Sequence, residues 1–581
     1  METTNLSKIK RDKMLDTINE LKKNITDENT LTNLSLIENE LTKKKYGLIW
    51  EEHQERVDKE LETQIPTFEE IKDKEIISNK EDKFNFLLEG DNLHSLYLLE
   101  KTHKGKIDVI YIDPPYNTGN KDFTYGDEVL SKEDEYKNSK WLSFLERRLL
   151  IAKQLLTDTG IIYISIDDNE QAPLKLLCDD IFGNINFIGC IPRRTKSSGK
   201  TTNNISSNHD YLLIYAKDFS IVPIIGIKHN DPGFKYSDEY EETRGKYKLN
   251  QTLDYDSLSY SDSLDYPIEI DEKTLYPGGD YNKYMDRKNG NHKRADWAWR
   301  WSKDLYEFGL KNGFIVLKKG KDGNPRIYTK TYLNATIEKN MNEYKIVFKN
   351  RTKPLSSLDL TDSKYSNDNA KKELMKIFGN SSFDYPKPSE LIKILIKIYG
   401  KKDITILDFF AGSGTTAQAV LELNNEDNGN RKYILCTNNE NKICENITYE
   451  RIKTVVSGKT NENKYYSNGI SSNLKYYRCT YIPRINTENE NLHSNLLINI
   501  KNLIQLENGI EVDDNKIRIY LDEDELDTFS NNKEAMNACD KVYISSDILL
   551  TSKQEKIFED NNIEVYIIPE YYFKDEIMEV M

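Results

Sequence analysis

The chain has 581 residues, of which 37% are hydrophobic and 31% are charged, which is typical of a multidomain globular protein. The net charge of −15 disfavours a nucleic-acid partner only mildly, because residues 281–330 hold 13 Lys and Arg against 5 Asp and Glu, a local charge of +8. No apolar run reaches the ~18–20 residues of a membrane helix, and the first residues lack the apolar core of a signal peptide. We therefore expect a cytoplasmic protein with no membrane partner.

The elements begin with a charged, helix-prone segment over residues 1–80, which predicts either a solvated helical extension or a dimer or partner contact. An α/β pattern follows over residues 81–216. It contains predicted strands at 86–88, 107–112, 161–166 and 211–215 and predicted helices at 141–156 and 171–182. Strands and helices that alternate at this length predict a parallel sheet covered on both faces.

The pattern breaks over residues 217–383, which are rich in Tyr, Ser and Asp and show no repeating strand–helix unit. It returns over 384–457, with predicted helices at 388–398 and 417–423 and predicted strands at 404–409 and 433–437. The last segment, 458–581, contains a small β-α-β pattern at 542–568. This layout predicts an α/β sheet that is split by an insertion and extended at both ends.

The six cysteines and seven histidines are dispersed, with no C-x-x-C pair and no H-E-x-x-H motif. This spacing favours reduced, buried thiols over a zinc site or a disulfide framework. We therefore expect no metal.

The first chemical motif is Asp113-Pro114-Pro115-Tyr116, which directly follows the predicted strand 107–112. Open α/β sheets bind their ligands at this end of a strand. An exocyclic amine of a base is a poor nucleophile until acceptors such as the Asp113 carboxylate and the Pro114 carbonyl hold its hydrogens, and Tyr116 offers a ring to a base taken out of the duplex. The alternative is a solvent-facing turn, because Asp-Pro and Pro-Pro are common turn formers. The position after a strand disfavours that alternative.

The second motif is a strand, a Gly-rich turn and a helix over residues 406–423. Gly412 and Gly414 let a ligand approach the backbone, and the helix N-terminus attracts a negative group. A third glycine is missing, which disfavours NAD, and no Lys follows the turn, which excludes a P-loop. The methionine carboxylate of S-adenosylmethionine would suit this turn. The turn alone is a weak signal, but its pairing with the first motif is a strong one.

The two motifs, in this order, resemble those of the beta class of amino methyltransferases, in which the catalytic motif precedes the cofactor loop. The segments 113–119, 141–148, 164–170 and 299–302 are similar to the modification subunits of type III restriction–modification systems. The resemblance implies a circularly permuted, Rossmann-like methyltransferase sheet, with residues 217–383 as an inserted target-recognition domain. It also suggests a homodimer and a separate restriction subunit, a helicase–nuclease.

The resemblance further implies site residues. Asp113, Pro114, Pro115 and Tyr116 would be catalytic. Asp91 would contact the adenine of the cofactor, and Lys387 and Ser389 would lie near its methionine end. An acid for the ribose is usual directly after strand 433–437, but here the first acid is Glu440. The predicted cofactor-binding set is Asp91, Asn92, Asp113, Lys387, Ser389, Asp408, Phe409, Phe410, Ala411, Gly412, Ser413, Gly414, Thr415, Thr416 and Glu440.

The insertion combines its basic excess with aromatic residues, a mixture that suits phosphate contact and base stacking. The tryptophans Trp297, Trp299 and Trp301 could equally form the core face of a strand. The neighbouring cations are better candidates for DNA contact, and we predict that it involves Lys293, Arg294, Arg300 and Lys303.

Together these features predict an enzyme that transfers a methyl group from S-adenosylmethionine to adenine N6 in double-stranded DNA. Cytosine N4 is an alternative target, although Ser commonly replaces the Asp in that family. A second alternative is a recognition subunit whose main role is to direct a helicase–nuclease. An RNA or protein methyltransferase is disfavoured by the long insertion.

Overall fold

The computed structural model describes residues 6–42, 50, 53, 55–118, 124–125, 128–129, 136–196, 205–228, 232–320, 323–340, 343–349, 352–379, 383–483, 489–512, 515–568 and 572. Gly119 of the 113–119 motif lies outside them. The chain divides into two compact units, of which the first comprises Met1–Ile224 and Ser356–Met581 and the second comprises Ile225–Leu355. The domain limits predicted from the sequence stay predictions.

The first unit supplies the elements at both ends of the chain, and the second unit supplies those between them. Up to residue 224 the elements are α1 (Leu6–Asn24), α2 (Glu28–Thr42), α3 (Arg56–Thr63), β1 (Gln64–Glu70), β2 (Phe84–Glu89), α4 (Asn92–His103), β3 (Ile107–Ile112), β4 (Thr124–Tyr125), β5 (Glu128–Val129), α5 (Lys137–Leu155), β6 (Leu156–Ile166), α6 (Gln171–Cys178), β7 (Phe187–Arg194) and β8 (His209–Ala216).

The second unit contains β9 (Ile227–Lys228), α7 (Glu241–Arg244), β10 (Tyr247–Thr252), β11 (Asp254–Ser257), β12 (Ile268–Ile270), β13 (Lys273–Leu275), α8 (Tyr281–Lys288), β14 (Asp296–Trp299), α9 (Lys303–Lys311), β15 (Ile315–Lys319), β16 (Pro325–Tyr332), β17 (Ala335–Asn340), β18 (Glu343–Phe348) and β19 (Thr352–Lys353). Its strands form small antiparallel sheets, of which β10-β16-β15 has three strands.

The first unit resumes with α10 (Asn367–Phe378), α11 (Ser389–Ile398), β20 (Thr405–Asp408), α12 (Thr415–Asp427), β21 (Lys432–Thr437), α13 (Glu450–Ser457), β22 (Asn473–Pro483), α14 (Asn489–Asn508), β23 (Ile517–Tyr520), α15 (Glu523–Ser530), α16 (Lys533–Asn537), β24 (Lys541–Ile544), α17 (Ser552–Asp560) and β25 (Glu564–Ile567). The predicted C-terminal β-α-β pattern is confirmed by the parallel pairing of β24 with β25 around α17.

A nine-stranded sheet in the order β1-β22-β2-β21-β20-β3-β6-β8-β7 forms the centre of the first unit. The six strands from β22 to β6 are parallel. Both faces of the sheet are covered by helices. On one face, Ile162 and Ile164 of β6 join a core with residues of α4 and α5. On the other face, the hydroxyl of Tyr163 donates to the Leu395 carbonyl on α11. Strands buried on both faces have nearly continuous apolar runs, as β3 has from Val109 to Ile112. The predicted Rossmann-like α/β fold is confirmed.

The predicted parallel arrangement holds for these six strands, but the sheet has antiparallel pairs at both of its ends. Strand β8, which covers the predicted strand 211–215, runs antiparallel to both β6 and β7. A parallel neighbour requires a crossover helix, and the described residues between β7 and β8 form none. The N-terminal segment is also not wholly helical, since β1 pairs antiparallel with β22 at the sheet edge, where Pro66 is tolerated. No helix among the described residues has the length and apolar character to cross a membrane.

Candidate active site

The Asp113–Tyr116 segment leaves the carboxyl end of β3, and β3 pairs directly with β20. Trp141 on α5 is fully buried, and its indole Nε1 donates a hydrogen bond to the Pro115 carbonyl at 2.7 Å. This bond holds the proline segment against the helix. The Asp113–Tyr116 motif and the Gly-rich turn therefore lie at neighbouring positions on one edge of the sheet.

The two carboxylate oxygens of Asp113 differ in their surroundings. Oδ2 lies 2.5 Å from Nζ of Lys387, a residue only 6% exposed just before α11. Oδ1 is buried and has no hydrogen-bond partner among the described residues. A buried acceptor without a donor is costly in a folded protein, so such an atom is a candidate for contact with a ligand. One oxygen of Asp113 is thus held by Lys387, and the other has an unused capacity to accept a hydrogen bond.

The ring of Tyr116 is held from two sides. Nζ of Lys387 lies 5.0 Å from the ring centroid, and the Tyr116 hydroxyl donates to Asp210 Oδ2 at 3.2 Å. Burial raises the pKa of Tyr116 well above its usual value, so the hydroxyl keeps its proton and remains a donor. Asp210 in turn forms a buried, two-point ion pair with Arg193, which also donates to the Tyr365 carbonyl at 2.7 Å. The aromatic ring is therefore fixed by a buried network.

The Gly-rich turn between β20 and α12 requires its glycines. Gly412 and Gly414 have φ values of +48° and +74°, in the left-handed region. A Cβ on Gly412 would lie 3.4 Å from Phe383 Cζ, and one on Gly414 would lie 3.1 Å from Thr448 Cγ2. The left-handed backbone therefore favours glycine at both positions, and at Gly414 a side chain would also crowd Thr448.

Asp408 closes the base of this turn. Its Oδ1 accepts from the Phe410 amide at 3.0 Å and its Oδ2 accepts from the Thr416 hydroxyl at 2.5 Å. The side chain is buried, and this burial raises its pKa to about 7, despite the two hydrogen bonds that lower it. Asp408 therefore ties the start of the turn to the first residues of α12.

The buried Arg451 on α13 holds the other side of the turn. Its Nη1 donates to the Thr415 hydroxyl at 2.8 Å and to Ser413 Oγ at 3.1 Å, and its Nε donates to Gln418 at 2.7 Å. The Thr415 hydroxyl also donates to the Lys387 carbonyl at 3.1 Å. The chain around Lys387 therefore connects the turn to the Asp113 carboxylate.

Asp91 and Asn92 stand at the start of α4, after the neighbouring strand β2. Asp91 caps the helix by accepting from the Leu93 amide at 2.7 Å, and Asn92 Nδ2 donates to the Phe409 carbonyl at 2.8 Å. The fully buried Arg148 donates to Asn92 Oδ1 at 2.6 Å and pairs with Glu55. These contacts join the ends of β2 and β20.

Two further residues of the predicted cofactor-binding set, Ser389 and Glu440, lie on different elements of the first unit. Ser389 is the first residue of α11, and its hydroxyl donates to Glu373 at 3.1 Å. Glu440 is exposed, in a short 3-10 turn beyond β21. The buried acid near it is Glu89 at the end of β2, which Arg478 and Asn439 already contact. The role of Glu440 toward a ribose stays a prediction.

Sequence reasoning missed the buried charges that support the motifs. Arg148 follows Trp141 and Leu145 at helical spacing on α5. A charged residue on an otherwise apolar helix face was therefore the sequence signal that could have indicated a buried charge. Arg193 and Asp210 come from adjacent strands that are paired with each other, which spacing along the chain does not reveal. Supporting residues of this kind come from segments far apart in sequence.

In the second unit, the predicted DNA-contacting residues Lys293, Arg294, Arg300 and Lys303 are all exposed. Arg300 stacks on Tyr255 with its guanidinium carbon 4.3 Å from the ring centroid. Trp299 is buried in a hydrophobic cluster and Trp301 packs against it, so these two rings belong to the core. The cations rather than these rings are available at the surface.

Comparisons with known proteins show which family the chain resembles. A family model described as DNA methylase matches residues 107–450, more than half of the chain. The chain is 32% identical to the type III restriction-modification enzyme StyLTI Mod subunit of Salmonella typhimurium, with 65% of this chain and 57% of the relative covered. It is 34% identical to the type II methyltransferase M.KpnI of Klebsiella pneumoniae, with 68% and 90% covered.

The match to the type III EcoPI Mod subunit of Escherichia phage P1 is 31% identical and covers 61% of this chain and 58% of the relative. The chain thus spans less than two thirds of these two Mod subunits but nine tenths of M.KpnI. The matched family region includes both the Asp113 motif and the Gly-rich turn. The chain belongs to the DNA methylase family.

Proposed function

We propose that the protein transfers a methyl group from S-adenosylmethionine to the N6 amine of adenine in double-stranded DNA. The observation that carries the proposal is the state of Asp113, which has one oxygen bound to Lys387 and the other buried and unpartnered among the described residues. An ionised carboxylate only accepts hydrogen bonds, and an exocyclic amine supplies the missing donor. Family membership and the adjacent Gly-rich turn support the same conclusion.

The residues of the site fit the cofactor. The left-handed Gly412–Gly414 turn offers backbone groups at the N-terminus of α12, where a carboxylate is favoured. Phe410 and Phe144, whose ring centroids are 5.9 Å apart, offer apolar surface near Asp91 and Asn92. When bound, S-adenosylmethionine supplies an electrophilic methyl group on a sulfonium.

The protein's own residues then act on the base. Tyr116 stacks on an adenine flipped from the duplex, and Asp113 Oδ1 and the Pro114 carbonyl accept the two amine hydrogens. These contacts free the nitrogen lone pair and stabilise the positive charge that grows on the nitrogen during attack. Lys387 keeps the Asp113 carboxylate oriented toward the amine.

The exposed cations of the second unit contact the DNA phosphates in this proposal, and the protein acts in the cytoplasm, where DNA is present. By analogy with the Mod subunits that it resembles, it forms a homodimer and works with a helicase–nuclease restriction subunit. Adenine is favoured over cytosine N4 by the Asp at position 113. A purely partner-directing role would not require an acceptor held open in this way.

The test is methylation of genomic DNA in cells that express the protein, mapped by long-read sequencing. We expect modified adenines at a defined sequence with the wild-type chain and none with Asp113→Ala, which removes the acceptor. Calorimetry should find S-adenosylmethionine binding largely intact in that variant. Normal methylation by Asp113→Ala would refute the assigned role, and modified cytosines instead of adenines would select the alternative substrate.

A further inference from the structure

The residue that follows the catalytic motif has an unusual backbone conformation. Asn117 has a φ of +55° and is only 1% exposed. Asn is among the few residues other than glycine that adopt this left-handed conformation, but it does so at an energetic cost. Since Asn117 is bonded directly to Tyr116, whatever stabilises the turn also sets the direction of the aromatic ring. The turn therefore needs an anchor.

Glu170, at the start of α6, is that anchor. It is 1% exposed, and its Oε1 accepts from Asn117 Nδ2 at 2.6 Å. The remaining atoms of the pair, Asn117 Oδ1 and Glu170 Oε2, are both buried and have no hydrogen-bond partner among the described residues. An ionised Glu170 would thus leave two buried acceptors without a donor, which is costly.

A proton on Glu170 removes this cost. On the face that meets a partner, a protonated carboxyl presents one O–H donor and one acceptor oxygen, and a primary amide presents one of its two N–H donors and its acceptor oxygen. The observed bond uses the amide donor, so a protonated Oε2 can supply the donor that Asn117 Oδ1 lacks. Burial raises the pKa of Glu170 to about 7, although the hydrogen bond from Asn117 lowers it. Of the charged groups near the carboxyl, Lys137 on α5 lowers this pKa and Asp167 after β6 raises it.

We propose that Glu170 is a positioning residue that carries its proton and holds Asn117 through a two-bond carboxyl–amide pair, which fixes the Tyr116 ring for the base. The kcat measurements that test this proposal rest on the proposed methyltransferase function. The infrared measurement of the Glu170 proton does not depend on that function.

The decisive variants are Glu170→Gln and Glu170→Ala. Gln offers the same donor and acceptor without a titrating proton, so Glu170→Gln should keep kcat within about twofold, whereas Glu170→Ala should lose about tenfold or more, the equivalent of one or two hydrogen bonds.

Wild-type kcat should fall as the pH rises from 6 to 9, and Glu170→Gln should show a smaller fall. Asp180→Asn, an exposed acid beyond α6, is the matched control and should behave as wild type. Equal impairment of the Gln and Ala variants, or identical pH profiles of wild type and Glu170→Gln, would overturn the proposal.

Infrared difference spectra between wild type and Glu170→Gln decide the same question without any methylation assay. We expect the carbonyl band of a protonated carboxylic acid at pH 5.5 in the wild type only, and its loss by pH 8.5. If the wild type shows no such band, Glu170 is ionised and the proposal fails, whether or not the protein methylates DNA. If the band is present but no DNA is methylated, the proposed function fails while the protonated pair stands.

Discussion

At the residue scale, the candidate site is built from a few buried charges held in fixed partnerships. Lys387 serves two elements, because its ammonium contacts Asp113 and its carbonyl accepts from Thr415. The Asp113 side chain is 23% exposed, so its pair with Lys387 is only partly buried and adds little to the overall stability of the fold. The geometry of this pair therefore matters more for holding the Asp113 carboxylate in place than for overall stability.

The Gly-rich turn yields a test at the same scale. Gly412→Val should abolish S-adenosylmethionine binding, because a branched side chain at φ +48° strains the turn and fills the space toward Phe383. Gly105→Val is the matched control, since Gly105 also has a positive φ of +67° but meets nothing within 4 Å and precedes β3, at the opposite edge of the sheet. Calorimetric titration should find binding in the control and none in Gly412→Val. Comparable affinity of the two variants would contradict the placement of the cofactor.

At the element scale, the junctions where parallel strands end create the site. Strands β2, β20 and β3 were predictable because each contains an apolar run that ends in a polar or Gly-rich motif. The positions of these motifs at the ends of the strands were predictable for the same reason. The antiparallel direction of β8 was not predictable, since an apolar run such as 211–215 carries no sign of its direction. Contacts such as Arg451 with Thr415 were hidden as well, because they depend on how α13 packs beside α12.

The junction of β20 with α12 predicts a pH effect. The pKa of Asp408 is about 7 in the folded protein and ~3.9 in the unfolded chain. An acid with a raised folded-state pKa stabilises the fold while it is protonated, and this contribution is lost as the pH rises from about 4 to about 7. Asp408→Asn, which cannot ionise, should therefore gain stability relative to wild type over that window, by a few kcal/mol at most, on the order of 1.4 kcal/mol per pH unit.

Denaturant unfolding of both proteins between pH 4.5 and 8 measures this difference. The two stability curves should separate as the pH rises, with the wild type falling below the variant. Parallel curves across the range would mean that Asp408 is ionised throughout and that its burial is compensated by Phe410 and Thr416.

At the scale of the whole molecule, charge is distributed unevenly. The chain carries a net charge of −15, yet residues 281–330 in the second unit carry an excess of Lys and Arg. Phosphate neutralisation by such cations releases counterions, so DNA affinity should fall steeply with salt. A polyanion would be steered toward this region despite the overall negative charge.

Arg300 tests this distribution. Arg300→Ala should weaken DNA binding at matched salt and reduce the slope of log affinity against log salt by about one, as expected for one lost phosphate contact. Lys273→Ala, an exposed cation in the β12–β13 hairpin of the same unit, is the control and should leave both quantities unchanged. An unchanged affinity in Arg300→Ala would remove this residue from the interface.

The pairing of β3 with β20 also constrains how the chain can be made. Ile110 and Leu407 are register partners at the centre of the sheet, yet almost three hundred residues of chain lie between them. During synthesis, β3 emerges with an unpaired edge and must wait until the second unit and β20 have left the ribosome. Contacts of such long range form slowly, and open strand edges associate with other chains in the meantime. Production of this protein should therefore benefit from slow translation at low temperature and from chaperones that shield nascent strands.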